Sequence, residues 1–175
     1  MEVSKVLRAA RFAAEKHKNQ RRKDAEASPY INHPIALANV LATEGGVTDT
    51  DVLCAALLHD TIEDTETTAE ELREQFGDVV TSIVLEVTDD KSMPKAERKR
   101  MQVEHTPHAS MKAKQIKLAD KICNLRDILS SPPADWSMAR KREYFDWAAH
   151  VVAGARDAHV GLAEIFDQLY SRKPS

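Results

Sequence analysis

The 175-residue sequence contains only five glycines and two cysteines, and no apolar run in it exceeds the seven residues of Val52 to Leu58. Each shortage excludes something. No stretch of alternating polar and apolar residues is long enough for a sheet, and helical periodicity recurs from end to end, so the fold is read as all-α. The cysteines, Cys54 and Cys123, lie in apolar helical segments without CxxC or CxxH spacing. That excludes a disulfide framework and a cysteine zinc site, and both read as small buried hydrophobes. Seven apolar residues fall far short of the roughly 20 that a membrane-spanning helix needs, and Met1-Glu2-Val3-Ser4 lacks a signal-peptide core. A cytoplasmic protein without membrane contact is expected.

A large excess of charge is missing too. Twenty-five basic against 28 acidic side chains give a formal net charge of −3, and the pI near 6.2 argues against a nucleic acid polymer as partner. What is present suffices for one core: 42% hydrophobic residues, interspersed with 30% charged ones. A single domain over 1–175 is expected, and a bifunctional multidomain enzyme is excluded on length. Three basic clusters stand out: Arg21-Arg22-Lys23, Lys95 with Arg98-Lys99-Arg100, and Arg140-Lys141-Arg142. In an acidic chain they suit a compact anionic ligand, although any one alone also reads as a solvated helix face.

The periodic segments divide into a bundle of about eight to ten helices. Val3, Val6, Leu7, Ala10, Ala13, Ala14 and His17 mark the buried face of a first helix ending near Gln20. Pro34 starts a second, which carries Ile35, Leu37, Ala38 and Leu41 to about Glu44. Thr48 to Asp51 has capping-box spacing for a third, with His59-Asp60 at its end. Thr68 and Glu71 open a short helix closed by Gly77, and Asp78 caps another with Val79, Val80, Ile83, Val84 and Val87 facing inward. Residues 94 to about 108 read as a charged segment holding a short surface helix flanked by loop. Lys112 to Leu129, Ala139 to Ala155 and Val160 to Leu169 complete the set.

The polar residues that interrupt these apolar faces carry the chemistry, because a buried imidazole or carboxylate must be paired, protonated or bound to something. His59-Asp60 alone is weak. Extended to His59-Asp60-Thr61-Ile62-Glu63-Asp64, its chance expectation falls to on the order of 0.01. If the helix continues through Asp64, His59 and Glu63 share one face and Asp60 and Asp64 another. Asp120 and Asn124 lie one turn apart in a core-facing segment, and His33 precedes Pro34. Singly, Asp120 also reads as the ion-pair partner of Lys117 or Lys121, and His33 as a capping or core histidine. Together, His33, His59, Asp60 and Asp120 make a mixed nitrogen and oxygen donor set for a divalent first-row metal, with Mn²⁺, Fe²⁺ and Zn²⁺ all suitable.

The H…HD…D pattern resembles that of the HD phosphohydrolase superfamily. RRKD at 21–24, PYINHP at 29–34, AALLHDTIEDT at 55–65, EVTDDK at 86–91, KLADK at 117–121 and NLRD at 124–127 resemble more closely the hydrolase domain of the RelA/SpoT family. Within it they resemble the stand-alone small alarmone hydrolases, the group of the metazoan SpoT homologue, over residues 11–152. The resemblance implies an enzyme, using one Mn²⁺ per chain, that removes pyrophosphate from the 3′ position of (p)ppGpp or (p)ppApp. It implies His33, His59, Asp60 and Asp120 as metal ligands and Glu63 and Asp64 as the acids that orient and deprotonate the attacking water. It also implies Arg22 or Lys23 at the base, Asn124 near the ribose, and Arg140, Tyr144, Lys95 and Arg98 at phosphate or sugar.

The competing readings are an NADPH 2′-phosphatase, another HD-type nucleotide phosphohydrolase, and a catalytically silent nucleotide-binding module. Filled ligand and acid positions weigh against the last. Because the bifunctional members of the family add a synthetase domain, the short chain is expected to hydrolyse without synthesising. The motifs do not fix the base, the number of 5′ phosphates or the oligomeric state.

Overall fold

The most apolar stretch of the sequence becomes the axis of the molecule. A computed structural model describes residues 1–175. It comprises α1 (Glu2–Lys16), α2 (Asn32–Asn39) with a π-helical turn at Val40–Glu44, α3 (Thr50–Leu58), α4 (Thr61–Asp64), α5 (Ala69–Val87), α6 (Lys95–His105), α7 (Met111–Ser130), α8 (Met138–Ala153) and α9 (Val160–Tyr170). Single 3₁₀ turns occupy Thr106–His108 and Arg156–Ala158. There is no sheet, in agreement with the all-α reading. No helix is long and apolar enough to cross a membrane.

Nearly every residue of α3 is apolar, so it is buried all round, with Val52 and Cys54 through Leu58 inside. It packs against α1, α2, α5 and α7. α7 is the second axis, meeting α2, α3, α5, α8 and α9. Ile116, Leu118, Ile122 and Leu125 of α7 close on Leu37, Leu41, Leu58, Leu72, Phe145 and Phe166, all essentially without solvent contact. Burying one such side chain stabilises by about 1.5–3 kcal/mol. α6 differs in kind: it has no buried residue at all. Its attachments are polar, among them the Trp147 indole N–H donating to the Lys99 carbonyl at 3.0 Å.

Several sequence expectations need correction. α1 stops at Lys16, and Val3 and Leu7 are exposed while Ala9 and Ala13 are fully buried. Small residues let α1 approach α3 closely, which turns the bulkier stripe beside them outward. Val79 and Ile35 are also half exposed. α2 begins at Asn32, with Pro34 in its first turn, where a missing N–H costs nothing. Asp49, not Thr48, caps α3, its carboxylate accepting from the Asp51 N–H at 2.9 Å. Thr68 caps α5 as expected, and Gly77 breaks that helix with a φ of +89° that only glycine adopts freely.

Candidate active site

The helix does not run on through Asp64. At the end of α3 the His59 Nδ1–H donates to the Ala56 carbonyl at 2.7 Å and the Thr61 hydroxyl to the Leu58 carbonyl at 2.7 Å. Asp60 then leaves helical geometry at φ −104° and ψ 2°, and α4 is a single turn. Neighbours on an intact helix point about 100° apart. The break lets adjacent residues converge, and His59 Nε2 lies 2.9 Å from Asp60 Oδ2.

Two other helices complete the cluster. His33 on the first turn of α2 places Nε2 3.0 Å from Oδ1 of Asp120 on α7, which is itself 3.8 Å from His59 Nε2. Donor atoms of His33, His59 and Asp60 lie within 4.8 Å of one another. Burial works against a charged His59, yet the Asp60 and Asp120 carboxylates raise its pKa to about 9. The carboxylates respond in kind: although burial opposes their ionisation, His59 holds Asp60 low, and Lys121 and His33 hold Asp120 low. The site demands positive charge.

That demand, with His59 Nδ1 committed to a backbone carbonyl and Nε2 turned to the carboxylates, suits a divalent cation held by His33, His59, Asp60 and Asp120. A second layer orients the donors. The Tyr30 hydroxyl donates to Asp60; burial and that carboxylate push the phenol far above its ordinary pKa, so it remains a donor. Lys121 Nζ holds Asp120 Oδ2 at 3.1 Å while lying 4.3 Å from the centre of the Trp147 ring.

The acid pair flanks this cluster, and its two members are held differently. Glu63 Oε1 accepts the Asp89 backbone N–H at 2.7 Å. Burial pushes the Glu63 pKa up to about 7; the Asp89 N–H opposes this and the charges of Asp60, Asp89 and Asp64 add to it. Both oxygens of Asp64 are engaged, Oδ1 by Lys91 Nζ at 2.6 Å and Oδ2 by Gln20 Nε2 at 3.3 Å. Gln20 is in turn anchored by His17 Nδ1 at 2.7 Å.

His33, His59, Asp60 and Asp120 and the acid pair line a chamber of about 220 Å³ that also reaches Asp89, Gln102 and Lys117. It shares Arg22, Tyr30, His33, Asp64 and Asn124 with a larger cavity of about 660 Å³, whose walls include Lys23, Asp127, Trp136 and Tyr144. Within the larger cavity Asn124 Nδ2 donates to the Tyr144 hydroxyl at 2.7 Å. Arg22 ion-pairs with Asp127 at 2.6 Å. Arg140 stacks on Trp136 at 4.3 Å, one layer behind the wall. Lys95 and Arg98 line neither cavity, and Arg98 borders an adjoining cavity of about 200 Å³. Burial and the cations Arg140, Lys23 and Arg98 lower the Lys95 pKa, so the basic clusters do gather on one side.

Sequence reasoning singles out the four residues that converge here, the two acids beside them and, in the wall of the larger cavity, Arg22, Lys23, Asn124 and Tyr144. It does not reach Gln20, Tyr30, Asp89, Lys91 or Gln102, whereas Lys121 does form the ion pair with Asp120 that the sequence offers as one reading. Tyr30 and the pair Asp89 and Lys91 sat inside quoted motifs, PYINHP and EVTDDK, without a role.

The HD domain family profile matches residues 9–151. The chain is 58% identical over 165 residues, 94% of this chain and 92% of the relative, to a guanosine-3′,5′-bis(diphosphate) 3′-pyrophosphohydrolase of Xenopus tropicalis. The Homo sapiens protein of that name is 54% identical over 172 residues, covering 98% and 96%. A solved structure described as a metazoan ortholog of SpoT that hydrolyzes ppGpp superposes with a TM-score of 0.93 at 44% identity, covering 96% of this chain and 94% of that one. With the break at His59-Asp60, the four converging donors and this similarity along nearly its whole length, the chain belongs to the HD-domain family, in its SpoT-like hydrolase group.

Proposed function

We propose that this chain is a single HD-type phosphohydrolase domain that hydrolyses the 3′-pyrophosphate of (p)ppGpp or (p)ppApp, giving GDP or GTP, or ADP or ATP, plus pyrophosphate. The observation that carries the reading is the opening of one four-donor cluster, with its acid pair, directly onto a cavity large enough for a nucleotide. Relatives named for this reaction align along almost the full chain. The cofactor is one Mn²⁺ held by His33, His59, Asp60 and Asp120. It supplies Lewis acidity toward phosphoryl oxygen and toward water.

The chain's own residues do the rest. Glu63 is the proton acceptor: one of its oxygens takes the Asp89 N–H, leaving Oε2 to draw a proton from the attacking water. Asp64, with both oxygens engaged, is the fixed carboxylate that orients that water. The attack breaks the bond between phosphorus and the 3′ oxygen; the pyrophosphate leaves with the water's oxygen, and the proton taken by Glu63 passes on to the 3′ oxygen, which leaves as the hydroxyl. Arg22 offers a planar guanidinium to a purine face, which accepts guanine and adenine alike. Asn124 and Tyr144 hold the ribose, Lys23 in the cavity wall meets phosphate charge, and Lys95, Arg98 and Arg140, outside the wall, add to the cation field from a distance. A cation field that strengthens with charge on the reacting phosphates lowers the barrier.

The test is a metal-supplemented screen of ppGpp, ppApp and NADPH at equal concentration, read by product mass. Release of pyrophosphate from the first two, dependent on Mn²⁺ and lost in Asp64→Ala, is expected. No pyrophosphate from either nucleotide, or unchanged turnover in Asp64→Ala, overturns the reading. Faster release of inorganic phosphate from NADPH transfers it to a 2′-phosphatase.

A further inference from the structure

α6 was expected to be a solvated surface helix, yet one of its side chains reaches the reaction chamber. Gln102 lines both the metal chamber and the adjoining cavity. Its Nε2 donates to Asp89 Oδ2 at 2.6 Å. The backbone N–H of the same Asp89 is the donor that holds Glu63 Oε1 at 2.7 Å. Two residues on, Lys91 holds Asp64 at 2.6 Å. The short loop between α5 and α6 therefore grips both acids at once, and Gln102 ties its Asp89 to α6.

The amide has one orientation here. Because Nε2 must face the Asp89 carboxylate, Oε1 is turned into the protein, where it is buried without a hydrogen-bond partner. An unmet buried acceptor costs stability, and a methionine or leucine of similar size would avoid it. A residue kept for packing alone would not be a glutamine. The N–H is the part that matters.

We infer that Gln102 is a positioning residue for the reaction, acting through Asp89 to hold the loop whose backbone N–H aims Glu63. The inference rests on the reading of Glu63 as proton acceptor, but its geometric half, loop to acid, can be measured without turnover. Gln102→Glu sets two carboxylates against each other and releases the loop. The double variant Gln102→Glu with Asp89→Asn restores one hydrogen bond with donor and acceptor exchanged, because an asparagine amide at 89 donates to a carboxylate at 102.

Two readouts test it on the full chain. Amide hydrogen exchange at residue 89 is expected to quicken by about tenfold or more in Gln102→Glu and to slow again in the double variant. With Mn²⁺ and ppGpp, kcat is expected to fall by on the order of tenfold to a hundredfold in Gln102→Glu, with KM nearly unchanged and partial rescue in the double variant. Exchange at residue 89 that stays at the wild-type rate in Gln102→Glu overturns the inference, as does a double variant no better than the single in both readouts. A wild-type enzyme silent toward ppGpp overturns the functional reading alone, since the exchange data still decide whether Gln102 fixes the loop. Thermal unfolding of each variant separates loss of the loop from loss of the fold.

Discussion

The two halves of the site are mounted by different physics. The four clustered donors stand on α2, at the end of α3 and on α7, whose apolar faces form the core, and His33 and His59 are each about 5% exposed. The acids and the cations Lys95 and Arg98 depend on α4, a single turn, on the loop between α5 and α6, and on α6, which buries no residue. Hydrophobic packing fixes the first half; hydrogen bonds and ion pairs hold the second. A rigid cluster can thus present unchanging donors while the groups that meet a changing polyphosphate keep some freedom. The two mountings should fail separately.

The sharpest way to break the comparison is to remove one donor. Asp120→Ala should abolish activity, by on the order of a thousandfold or more in kcat/KM, with metal content by elemental analysis falling in parallel. Glu63→Gln should instead cut kcat by on the order of a hundredfold to ten-thousandfold with metal content intact. If both variants lose metal alike, the halves are not separate.

The same Glu63→Gln substitution has a stability signature in metal-free protein. Burial raises Glu63 from 4.5 to about 7, so between those values the folded state holds the proton and the unfolded state has released it. Stability from this group is therefore present below the unfolded value and lost as pH rises through about 7, by about 1–3 kcal/mol. Thermal melts should show Glu63→Gln more stable than wild type at pH 8 and no such gain at pH 4.

Packing supplies the next contrast. Leu58→Ala in α3 should cost about 2–5 kcal/mol in denaturant unfolding. Arg100→Ala in α6, which loses ion pairs to Glu97 and Glu104 on its own surface, should cost less than about 1 kcal/mol. The smallest expected effect belongs to the basic rim: Lys95→Gln should raise KM for ppGpp by about threefold to tenfold at low salt, and the difference should shrink as salt screens the field.

How much was legible follows the same division. His59-Asp60, His33 and Asp120 break strong apolar periodicity, so the rigid half showed itself in a pattern that burial enforces. The all-α architecture and the helices from Lys112 onward followed from the same periodicity. The helix break at Asp60 did not, because a capping interaction of Thr61 and a backbone bond of His59 decide it, and nothing in spacing announces them. Gln20, Lys91 and Gln102 were invisible for a related reason: each is an ordinary polar residue on or near the surface whose meaning lies in a partner 13 to 44 positions away. The exposed face of α1 was misjudged because periodicity marks two adjacent stripes and only the small-residue one fits against α3.

One consequence of an α6 without buried side chains concerns how the molecule opens. Apolar burial ties a helix to the cooperative unit of the whole domain, and α6 has no fully buried side chain to tie it. Local opening of α6 is therefore expected to cost less than opening of the α3 and α7 core, which faster amide exchange along α6 would show. An opening of the segment that carries Lys95, Arg98 and Gln102 would therefore bare one wall of the metal chamber while His33, His59 and Asp120 keep their places on the core.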